Sequence, residues 1–428
     1  MKRQLTLVDC LGIGINGIVG SGIFLLPAAL WRSAGGQAPL AFLVVGGVCC
    51  LVALCFAEAA ARTERSGGPY RYAGDAFGAY AGFAVGWVTL ISTLLGYSAV
   101  ASGFGVMAAN LLGHAREPFF EISLSVAVVA FLCTINILGV RRSAHTGDFI
   151  SAVKIASLLL FVGIGIFFIN TANFHALPSP RPTERAGLFA AAFAGLFATT
   201  GFEYIPVPAG EAKNPRRTIP LAMVISVLVT TLLYVMIEVV AGGVLPNLGA
   251  SETPLVDAAA QFGGSRGRLL MSIAGLISSF GFCASSALVG PRYLEAFAED
   301  RFLPSFFAQR HKTLGTPVWA VLTLSTLVGA MLIIGLRFRE LADISNVAVV
   351  VQYMATCLAV LVLRKKEKAP EGAFVTPFGP LIPILALTGC FGFLLSVGFS
   401  ELKLAAGMIL VGLLFGLVWR RQQKHPQA

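Results

Sequence analysis

The segment from Leu11 to Leu30 carries no charge and is long enough to cross a bilayer, which takes about 20 apolar residues. Five glycines and one proline interrupt it, and three of the glycines fall within Gly17–Gly22. Glycine weakens a helix interior, and proline removes a backbone donor. Because unwound backbone inside a membrane is tolerated only where it lines a cavity or contacts a ligand, this segment predicts a binding site within a membrane-spanning helix.

Comparable apolar stretches recur along the chain and predict an all-α polytopic membrane protein. The mean hydropathy is +0.81, and only 12% of residues are charged, against about a quarter in soluble domains. We expect twelve transmembrane helices in one domain, because the connections between them are too short to fold alone. Their approximate bounds are 10–31, 39–60, 79–112, 121–140, 147–169, 187–208, 219–244, 268–296, 316–336, 342–363, 380–397 and 402–419.

A second apolar segment, "ATTGFEYIPVPAGE" from Ala198 to Glu211, repeats the interruption. In it Gly201 is followed by a proline five residues later, and Gly22 and Pro27 show the same spacing in the first segment. The two segments are five spans apart and would cross the membrane in opposite directions. This is typical of an inverted repeat whose ligand binds near the bilayer midplane. Glycines that only pack helices together are the alternative interpretation.

The ends of the interrupted helices favour a ligand with both a carboxylate and an ammonium group. A helix that restarts after Gly22 would present free N–H groups from about Ser21 to Phe24, which favour an anion. The half before it would end near Ile18 with free carbonyls, and the second interruption would leave free carbonyls near 197–200. Carbonyl oxygens favour an ammonium group, so an α-amino acid matches both kinds of helix end.

Basic residues are distributed unequally between the predicted loops. Most of the 31 lysine and arginine residues fall on the side that would hold both termini. The positive-inside bias therefore places the N- and C-termini in the cytoplasm. A basic face next to anionic membrane lipid explains the net charge of +10, so we expect no nucleic-acid partner.

The sequence shows none of the patterns that would indicate catalysis or a metal site. All eight cysteines fall in or beside apolar spans, with neither a CxxC pair nor the Cys/His spacing of a zinc site. We therefore predict no cofactor, no metal and no disulfide-linked accessory subunit, while the oligomeric state stays open. A membrane enzyme would require His, Asp or Cys clustered at one face, and a channel would require rings of like pore residues. Neither pattern is present in the sequence.

Five stretches together resemble the amino acid–polyamine–organocation (APC) transporter superfamily. They are "GSGIF" (20–24), "SGGPYRYAGDAFG" (66–78), "GFE" with the later "GEAKNPRRTIP" (210–220), "AEDRFLP" (298–304) and "QYMATCLAVLVLRKK" in helix 10. The resemblance implies two inverted five-helix repeats, about 8–170 and 187–364, with helices 1 and 6 broken, followed by two helices at about 380–420. It also implies alternating-access transport across the inner membrane of a bacterium.

The resemblance further implies a substrate site made by four helices. Helix 1 would bind the carboxylate and amine through its backbone, helix 6 would supply an aromatic gate, and helices 3 and 8 would face the substrate side chain. The matching positions are Ile18, Ser21, Gly22 and Ile23 in helix 1, Ser92, Thr93 and Tyr97 in helix 3, Phe197 and Thr200 in helix 6, and Ser286 in helix 8. Some relatives carry a tryptophan at the helix 8 position, so the pocket of this chain is expected to be wider.

Three ionisable residues are predicted within spans, where a buried charge is costly and often functional. Lys154 lies about 9 Å into predicted helix 5, counting 1.5 Å per residue. The resemblance implies that its ammonium group occupies the place where sodium-coupled relatives bind a cation. It would bond to helix 1 carbonyls near 14–17, and snorkelling to the lipid headgroups is the alternative. Glu203 would either anchor the unwound backbone or take part in proton sensing or amine binding. Glu238 in helix 7 is expected to be structural.

Taken together, these features predict sodium-independent secondary active transport of a small neutral amino acid, by proton symport or by exchange. Within the same class, the alternative is transport of a cationic amino acid or polyamine with Glu203 as its counter-ion. A transporter-like amino acid sensor is the alternative from another class.

Overall fold

The structure, a computed structural model, describes residues 6–63, 68–138, 144–181, 185–206, 212–311 and 313–424. Parts of two quoted motifs, residues 66–67 and 210–211, lie outside the described residues. The described chain is mostly helical and contains no β-strand. Its helices are α1 (Leu7–Ile18), α2 (Gly22–Leu25), α3 (Pro27–Ala34), α4 (Ala38–Arg62), α5 (Pro69–Phe77), α6 (Ala79–Leu111), α7 (Pro118–Ile137), α8 (Ala144–Gly165), α9 (Leu188–Thr199), α10 (Pro215–Val244), α11 (Pro254–Glu299), α12 (Val318–Ile333), α13 (Phe338–Lys366), α14 (Leu381–Leu395) and α15 (Phe399–Lys424).

Within the described residues, nine helical segments are long and apolar enough to cross a membrane. Three shorter apolar segments, Leu188–Tyr204, Val318–Ile333 and Leu381–Leu395, lie among them. Leu188–Tyr204 is not a continuous α-helix because α9 stops at Thr199, at the second predicted interruption. The chain is therefore a helical, polytopic membrane protein, as its composition predicts.

Successive long helices run in opposite directions, so their ends lie on two faces of the bundle. We call the face at which α1 begins the N-terminal face, and the opposite one, where α3 ends and α9 and α13 begin, the far face. Contacts between distant segments support this arrangement. On the far face, the Ser179 and Gly187 N–H groups donate to the carbonyls of Arg32 and Ser33, each at 2.8 Å.

A buried ion-pair network joins three segments at the N-terminal face. The carboxylate of Glu58, near the end of α4, lies 2.9 Å from Arg62 Nη2 and accepts two bonds from Arg364 of α13, at 2.9 and 2.5 Å. It also accepts the Thr376 N–H at 2.9 Å, from the segment that leads to α14. Glu58 is fully buried. The network therefore holds α4, α13 and the connection to α14 together.

Two helical segments lie outside the predicted spans. Helix α5 is a short helix on the N-terminal face, where the Tyr70 hydroxyl contacts Asp300 at the end of α11. The first residues of α11 occupy the predicted connection 245–267, and Gly264 (φ 55°) separates them from the long part of that helix. Positive φ favours glycine, which has no Cβ. Apolar length alone misses both segments because neither is a full membrane span.

Replacement of Glu58 by Gln removes the charge that two guanidinium groups contact, while it keeps the shape of the side chain. Breaking a buried ion pair costs about 3–5 kcal/mol, because the remaining charge is left uncompensated. We expect a clearly lower melting temperature of the purified protein in detergent. The control is Glu117→Gln, because the Glu117 side chain is 52% exposed and pairs with His114 at the surface. This substitution should lower the free energy of unfolding by less than about 1 kcal/mol. Equal melting temperatures for the two variants would contradict this role of Glu58.

Candidate functional site

The first interruption separates α1 from α2 at residues 19–21. Val19 has an extended backbone (φ −82°, ψ 91°), and the helix restarts at Gly22. Phe24 N–H, which the sequence analysis counted among the free donors, bonds to the Ser21 carbonyl at 3.1 Å. Within the described chain, the N–H groups of Ser21, Gly22 and Ile23 donate no backbone hydrogen bond. The restart therefore presents three free donors rather than four.

The second interruption follows α9. Thr200 is extended (φ −74°, ψ 160°), Gly201 has φ 117°, and a single 3₁₀ turn, Phe202–Tyr204, comes next. The Glu203 carboxylate accepts the Gly201 N–H at 2.8 Å and the Tyr353 hydroxyl of α13 at 3.0 Å. Glu203 is buried and holds the unwound segment against α13, which is the geometry that an anchoring role requires.

The two interruptions touch through their backbones. A Cβ atom added to Gly17 would lie 2.8 Å from the Gly201 carbonyl oxygen, and one added to Gly201 would overlap the Gly17 carbonyl group. Further along, a Cβ on Gly22 would lie 3.0 Å from Cα of Ala198 in α9. These glycines therefore permit close approach of two backbones as well as interruption of the helices. We call this region the crossing, defined by 17–22 and 198–204.

Lys154 reaches the crossing from α8. Its ammonium group donates to Asn16 Oδ1 at 2.6 Å and to the Val19 carbonyl at 2.7 Å. The side chain is fully buried. Because α8 begins at Ala144, Lys154 lies ten residues, or about 15 Å, along the helix. The ammonium group turns toward α1 rather than toward the helix end.

Helix α11 supplies a second donor to the same carbonyl groups. The Ser278 hydroxyl lies 3.0 Å from the Val19 carbonyl and 3.2 Å from the Gly20 carbonyl. One turn later, Phe282 packs on Gly20, where an added Cβ would lie 3.3 Å from the ring. The carbonyl end of α1 is therefore satisfied by an ammonium group and a hydroxyl from two other helices, and α1, α8 and α11 meet at one point.

Two of the predicted side-chain contacts converge beyond the second interruption. Thr93 of α6 and Ser286 of α11 both lie beside the Tyr204 hydroxyl. The Thr93 hydroxyl also bonds back to the Thr89 carbonyl at 2.8 Å. Three hydroxyl groups, from α6, α11 and the 3₁₀ turn, therefore line this side of the crossing.

The other two helix 3 positions, Ser92 and Tyr97 of α6, have different described neighbours. The Ser92 hydroxyl lies 3.5 Å from Gln352 Oε1 of α13, and the Ser92 carbonyl accepts a bond from the Ser345 hydroxyl at 3.1 Å. Tyr97 lies near Cys283 of α11, and its buried hydroxyl has no hydrogen-bond partner in the described structure. The structure thus brings Thr93, but neither of its predicted companions, against the second interruption.

Phe197 lies directly before the crossing, and Ser21 lies within it. The Phe197 ring packs edge-to-face on Phe338, at the start of α13, with ring centroids 5.5 Å apart. The Thr200 hydroxyl bonds to the Phe197 carbonyl at 3.0 Å. Ser21 points its hydroxyl toward α6, since a Cβ on Gly103 would lie 2.8 Å from it. The Phe197–Phe338 pair therefore lies between the crossing and the far face.

Four residues at the crossing were missed by the sequence analysis. They are Asn16, Ser278, Tyr204 and Tyr234, the last of which donates to the Ile18 carbonyl at 3.4 Å. Asn16 carried a usable signal, because an amide beside an interrupted span is costly unless it is bonded. Serine and tyrosine in apolar helices carry no comparable signal, since both often bond to their own helix or pack as apolar residues.

Glu238 of α10 is fully buried, and neither of its carboxylate oxygens has a hydrogen-bond partner within the described residues. It lies one turn after Tyr234 and one turn before Gly242, on the same helix face. Gly242 packs against the Trp31 ring of α3. Glu238 therefore faces the two halves of the first interrupted helix, and the described contacts provide no bond for the structural role expected of it.

A family model described as amino acid permease matches residues 5–418. The chain belongs to the amino acid permease family. This membership agrees with the superfamily resemblance carried by the sequence motifs, and it makes the chain an integral membrane protein of a transporter family.

Individual relatives of this permease differ in substrate. The branched-chain amino acid permease BcaP of Bacillus subtilis (strain 168) is 27% identical over 448 residues, covering 100% of this chain and 94% of the relative. The serine/threonine exchanger SteT of the same organism is 29% identical, covering 96% and 95%. The vacuolar cationic amino acid transporter 4 of Arabidopsis thaliana is 26% identical, covering 87% and 64%. The family therefore indicates amino acid transport without specifying the side chain.

Replacement of Gly201 by Ala should separate the two interruptions. The residue has positive φ, which costs about 1–3 kcal/mol for other residues, and its new methyl group would overlap the Gly17 carbonyl. We expect uptake into proteoliposomes to fall at least tenfold, equivalent to about 1.4 kcal/mol. Gly163→Ala in α8 is the control, because an added Cβ there meets nothing within 4 Å. Unchanged uptake by the Gly201 variant would show that the close crossing is dispensable.

Proposed function

We propose that this permease performs sodium-independent secondary active transport of a small neutral amino acid by alternating access. Coupling is by proton symport or by exchange. The observation that carries the proposal is the Lys154 ammonium group at the interrupted helix, where it donates to the Asn16 side-chain oxygen at 2.6 Å and to the Val19 carbonyl at 2.7 Å. A transporter of this class needs a ligand site on movable, interrupted helices, and the meeting of two interrupted helices at the crossing supports that role.

Sodium independence follows from the chemistry of that contact. Sodium is a hard cation that requires several oxygen ligands, whereas a lysine side chain offers only donors. Lys154 occupies the carbonyl groups of α1 that could otherwise serve as ligands, and it repels a second cation nearby. The ammonium group therefore takes the place of a coupling ion.

The substrate is bound through both ends of its α-amino acid group. The N–H groups at the restart, Ser21, Gly22 and Ile23, receive the carboxylate. Carbonyl groups near Ile18 and Phe197 receive the ammonium group. These are the positions that the superfamily resemblance indicates.

The substrate side chain is neutral and small. It faces the hydroxyl groups of Thr93, Ser286 and Tyr204. The nearby carboxylate, Glu203, already accepts bonds from Gly201 and Tyr353, so it serves poorly as the counter-ion of a cationic substrate. Two relatives with neutral substrates in their names, BcaP and SteT, match nearly the full chain.

Transport proceeds by relative motion of two repeats, about 8–170 and 187–364, with the helices of about 380–420 outside them. All twelve expected spans take part in one domain. The repeats contribute one interrupted helix each, and these meet at the crossing. The N-terminal face is cytoplasmic in this proposal, in keeping with the positive-inside bias, and the membrane is the inner membrane of a bacterium.

Replacement of Lys154 by Ala leaves the carbonyl end of α1 without its charged donor and should impair transport at least tenfold, since hydrogen bonds to charged groups contribute about 1.5–3 kcal/mol. The control is Lys365→Ala, an exposed residue of α13. In wild-type proteoliposomes, replacing sodium by potassium or choline should leave flux unchanged. A strict sodium requirement would contradict the proposed role of Lys154.

Imposing proton and trans-substrate gradients one at a time separates the two coupling modes. Uptake driven by an inward proton gradient indicates symport, and flux that requires substrate on the opposite side indicates exchange. Binding of an amino acid without flux under any gradient would identify a sensor and contradict transport.

Competition among substrates tests the specificity. Alanine, serine or a branched neutral amino acid should compete better than lysine, arginine or putrescine, because a cationic side chain would need a desolvated partner. The measurement is inhibition of labelled amino acid uptake, with Glu203→Gln as a second arm. Stronger competition by cations, lost in the Glu203 variant, would replace this proposal with cationic transport, the activity named for the plant relative.

A further inference from the structure

Glu238 of α10 is a fully buried carboxyl group to which the described residues donate no hydrogen bond at either oxygen. An isolated ionised carboxylate is very costly outside water, so an enclosed group of this kind takes up a proton. The packing around Glu238 therefore holds it as the neutral acid. The proposed function gives this residue no role, although an ionisable group inside a membrane-spanning bundle is often functional.

No described charge offsets an ionised Glu238. Among the elements packed against α10, α3 carries Arg32, which donates to the Gly249 carbonyl at 2.9 Å. Lys154 of α8 is bound to α1, and Glu203 is held within the second interruption. The charge on the carboxyl group therefore depends on its access to water. The other charged or titratable side chains that the structure describes on these elements are paired elsewhere or exposed, namely Asp9, Glu58, Arg62, His175, Asp257, Arg266, Arg268, Arg292, Glu295 and Glu299.

The outer half of the first interrupted helix covers Glu238 toward the far face. Helix α10 ends there at Val244, so Glu238 lies about 9 Å from that end. The Trp31 ring of α3 packs on Gly242, one turn closer to the far face, where an added Cβ would overlap it. Trp31 also packs on Phe174, with ring centroids 5.8 Å apart. A shift of α3 away from α10 would open this cover and admit water to the carboxyl group.

The cover and the proposed carboxylate site are parts of one half-helix. The free N–H groups of residues 21–23 lie at the start of α2, and α2 continues into α3 through backbone bonds. The Leu26 N–H donates to the Gly22 carbonyl, and the Ala29 N–H donates to the Leu26 carbonyl, each at 2.8 Å. A carboxylate bound at the restart and the Trp31 ring therefore move together.

Hydroxyl groups follow Glu238 along α10 toward the N-terminal face. Tyr234, Thr230 and Ser226 precede it at four-residue intervals and so share its helix face. The Tyr234 hydroxyl donates to the Ile18 carbonyl at 3.4 Å, and the Thr230 hydroxyl donates to the Ser226 carbonyl at 2.7 Å. Because a hydroxyl group both donates and accepts, this row is a polar route by which a proton can leave on the N-terminal side.

We propose that Glu238 is the group that binds and releases the coupling proton, an inference that rests on the proposed transport function. With α3 displaced, the ionised carboxylate forms an O–H bond with a proton from water at the far face. Closure of α3 over bound substrate then buries a neutral group, so substrate and proton favour the same closed state and raise each other's affinity. When the N-terminal side opens, the O–H bond breaks and the proton passes to water there.

The first measurement compares proton-driven uptake with exchange, in proteoliposomes with labelled alanine, serine or leucine as the probe. Glu238→Gln keeps the shape of the neutral acid but cannot release a proton, and Glu238→Met replaces the titratable group by an apolar one of similar length. Both variants should exchange internal for external substrate at near wild-type rates and lose accumulation driven by an inward proton gradient. The matched control is Glu252→Gln, which should keep both fluxes because Glu252 is 48% exposed and pairs with Arg116.

The second measurement is the affinity of the purified protein for the same probes as a function of pH. Wild-type affinity should fall as the pH rises, because closure must then protonate an ionised carboxyl group. One linked proton limits the loss to about tenfold for each pH unit. Probe binding should also take up a proton from weakly buffered solution. Both Glu238 variants should bind with pH-independent affinity, and the wild-type half of the measurement holds even if neither variant folds.

Proton-driven accumulation by either Glu238 variant, or pH-independent binding by the wild-type protein, would overturn the inference. Loss of exchange together with accumulation in the variants would also overturn it, because a purely structural residue affects both fluxes. Wild-type exchange without proton-driven accumulation would exclude Glu238 as a proton carrier and leave the proposed transport of a neutral amino acid intact. If the wild-type protein neither bound nor carried any of the three probes, both proposals would fail.

Discussion

The bond between the Lys154 ammonium group and the end of α1 is the interaction on which the rest of this structure depends. Unwound backbone in a bilayer leaves carbonyl groups that water cannot reach. Lys154 and Ser278 satisfy the Val19 carbonyl from two other helices. A buried ammonium group is itself unstable without acceptors, so the cation and the broken helix stabilise each other. The interruption can therefore persist only where α8 and α11 pack against it.

The crossing adds a geometric constraint. Gly17 and Gly201 bring two backbones into contact, and a side chain at either position would separate them. This contact places the free N–H groups after the first break near the carbonyl end of α9, before the second break. Helix ends of opposite partial charge thus lie close together, and an α-amino acid, which carries both an anionic and a cationic group, matches them better than a singly charged solute.

The sequence predicts the parts of this site that depend on backbone, and it predicts side-chain direction poorly. Both interruptions lie where glycine and proline spacing places them, and Lys154 contacts helix 1 as the family resemblance implies. Ser92 contacts α13 rather than the second interruption, because it points about 100° away from its neighbour Thr93. Asn16, Ser278 and Tyr204 reach the crossing through packing between distant segments, which no local pattern encodes. The sequence analysis did not predict α5, because apolar length identifies only helices that are long enough to span a bilayer.

The Glu58 network has a consequence for how the N-terminal face can open. It joins α4 to α13 through the fully buried Glu58 carboxylate, which accepts several hydrogen bonds, so these two helices stay linked at the N-terminal face. The contact of α5 with α11 is different, because Arg71 and Asp300 form a pair that is about one-third exposed, at 3.2 Å. Dissolved salt screens an exposed pair and leaves a buried one intact. Ionic strength on that side of the membrane therefore weakens the contact of α5 with α11, while the contact of α4 with α13 persists.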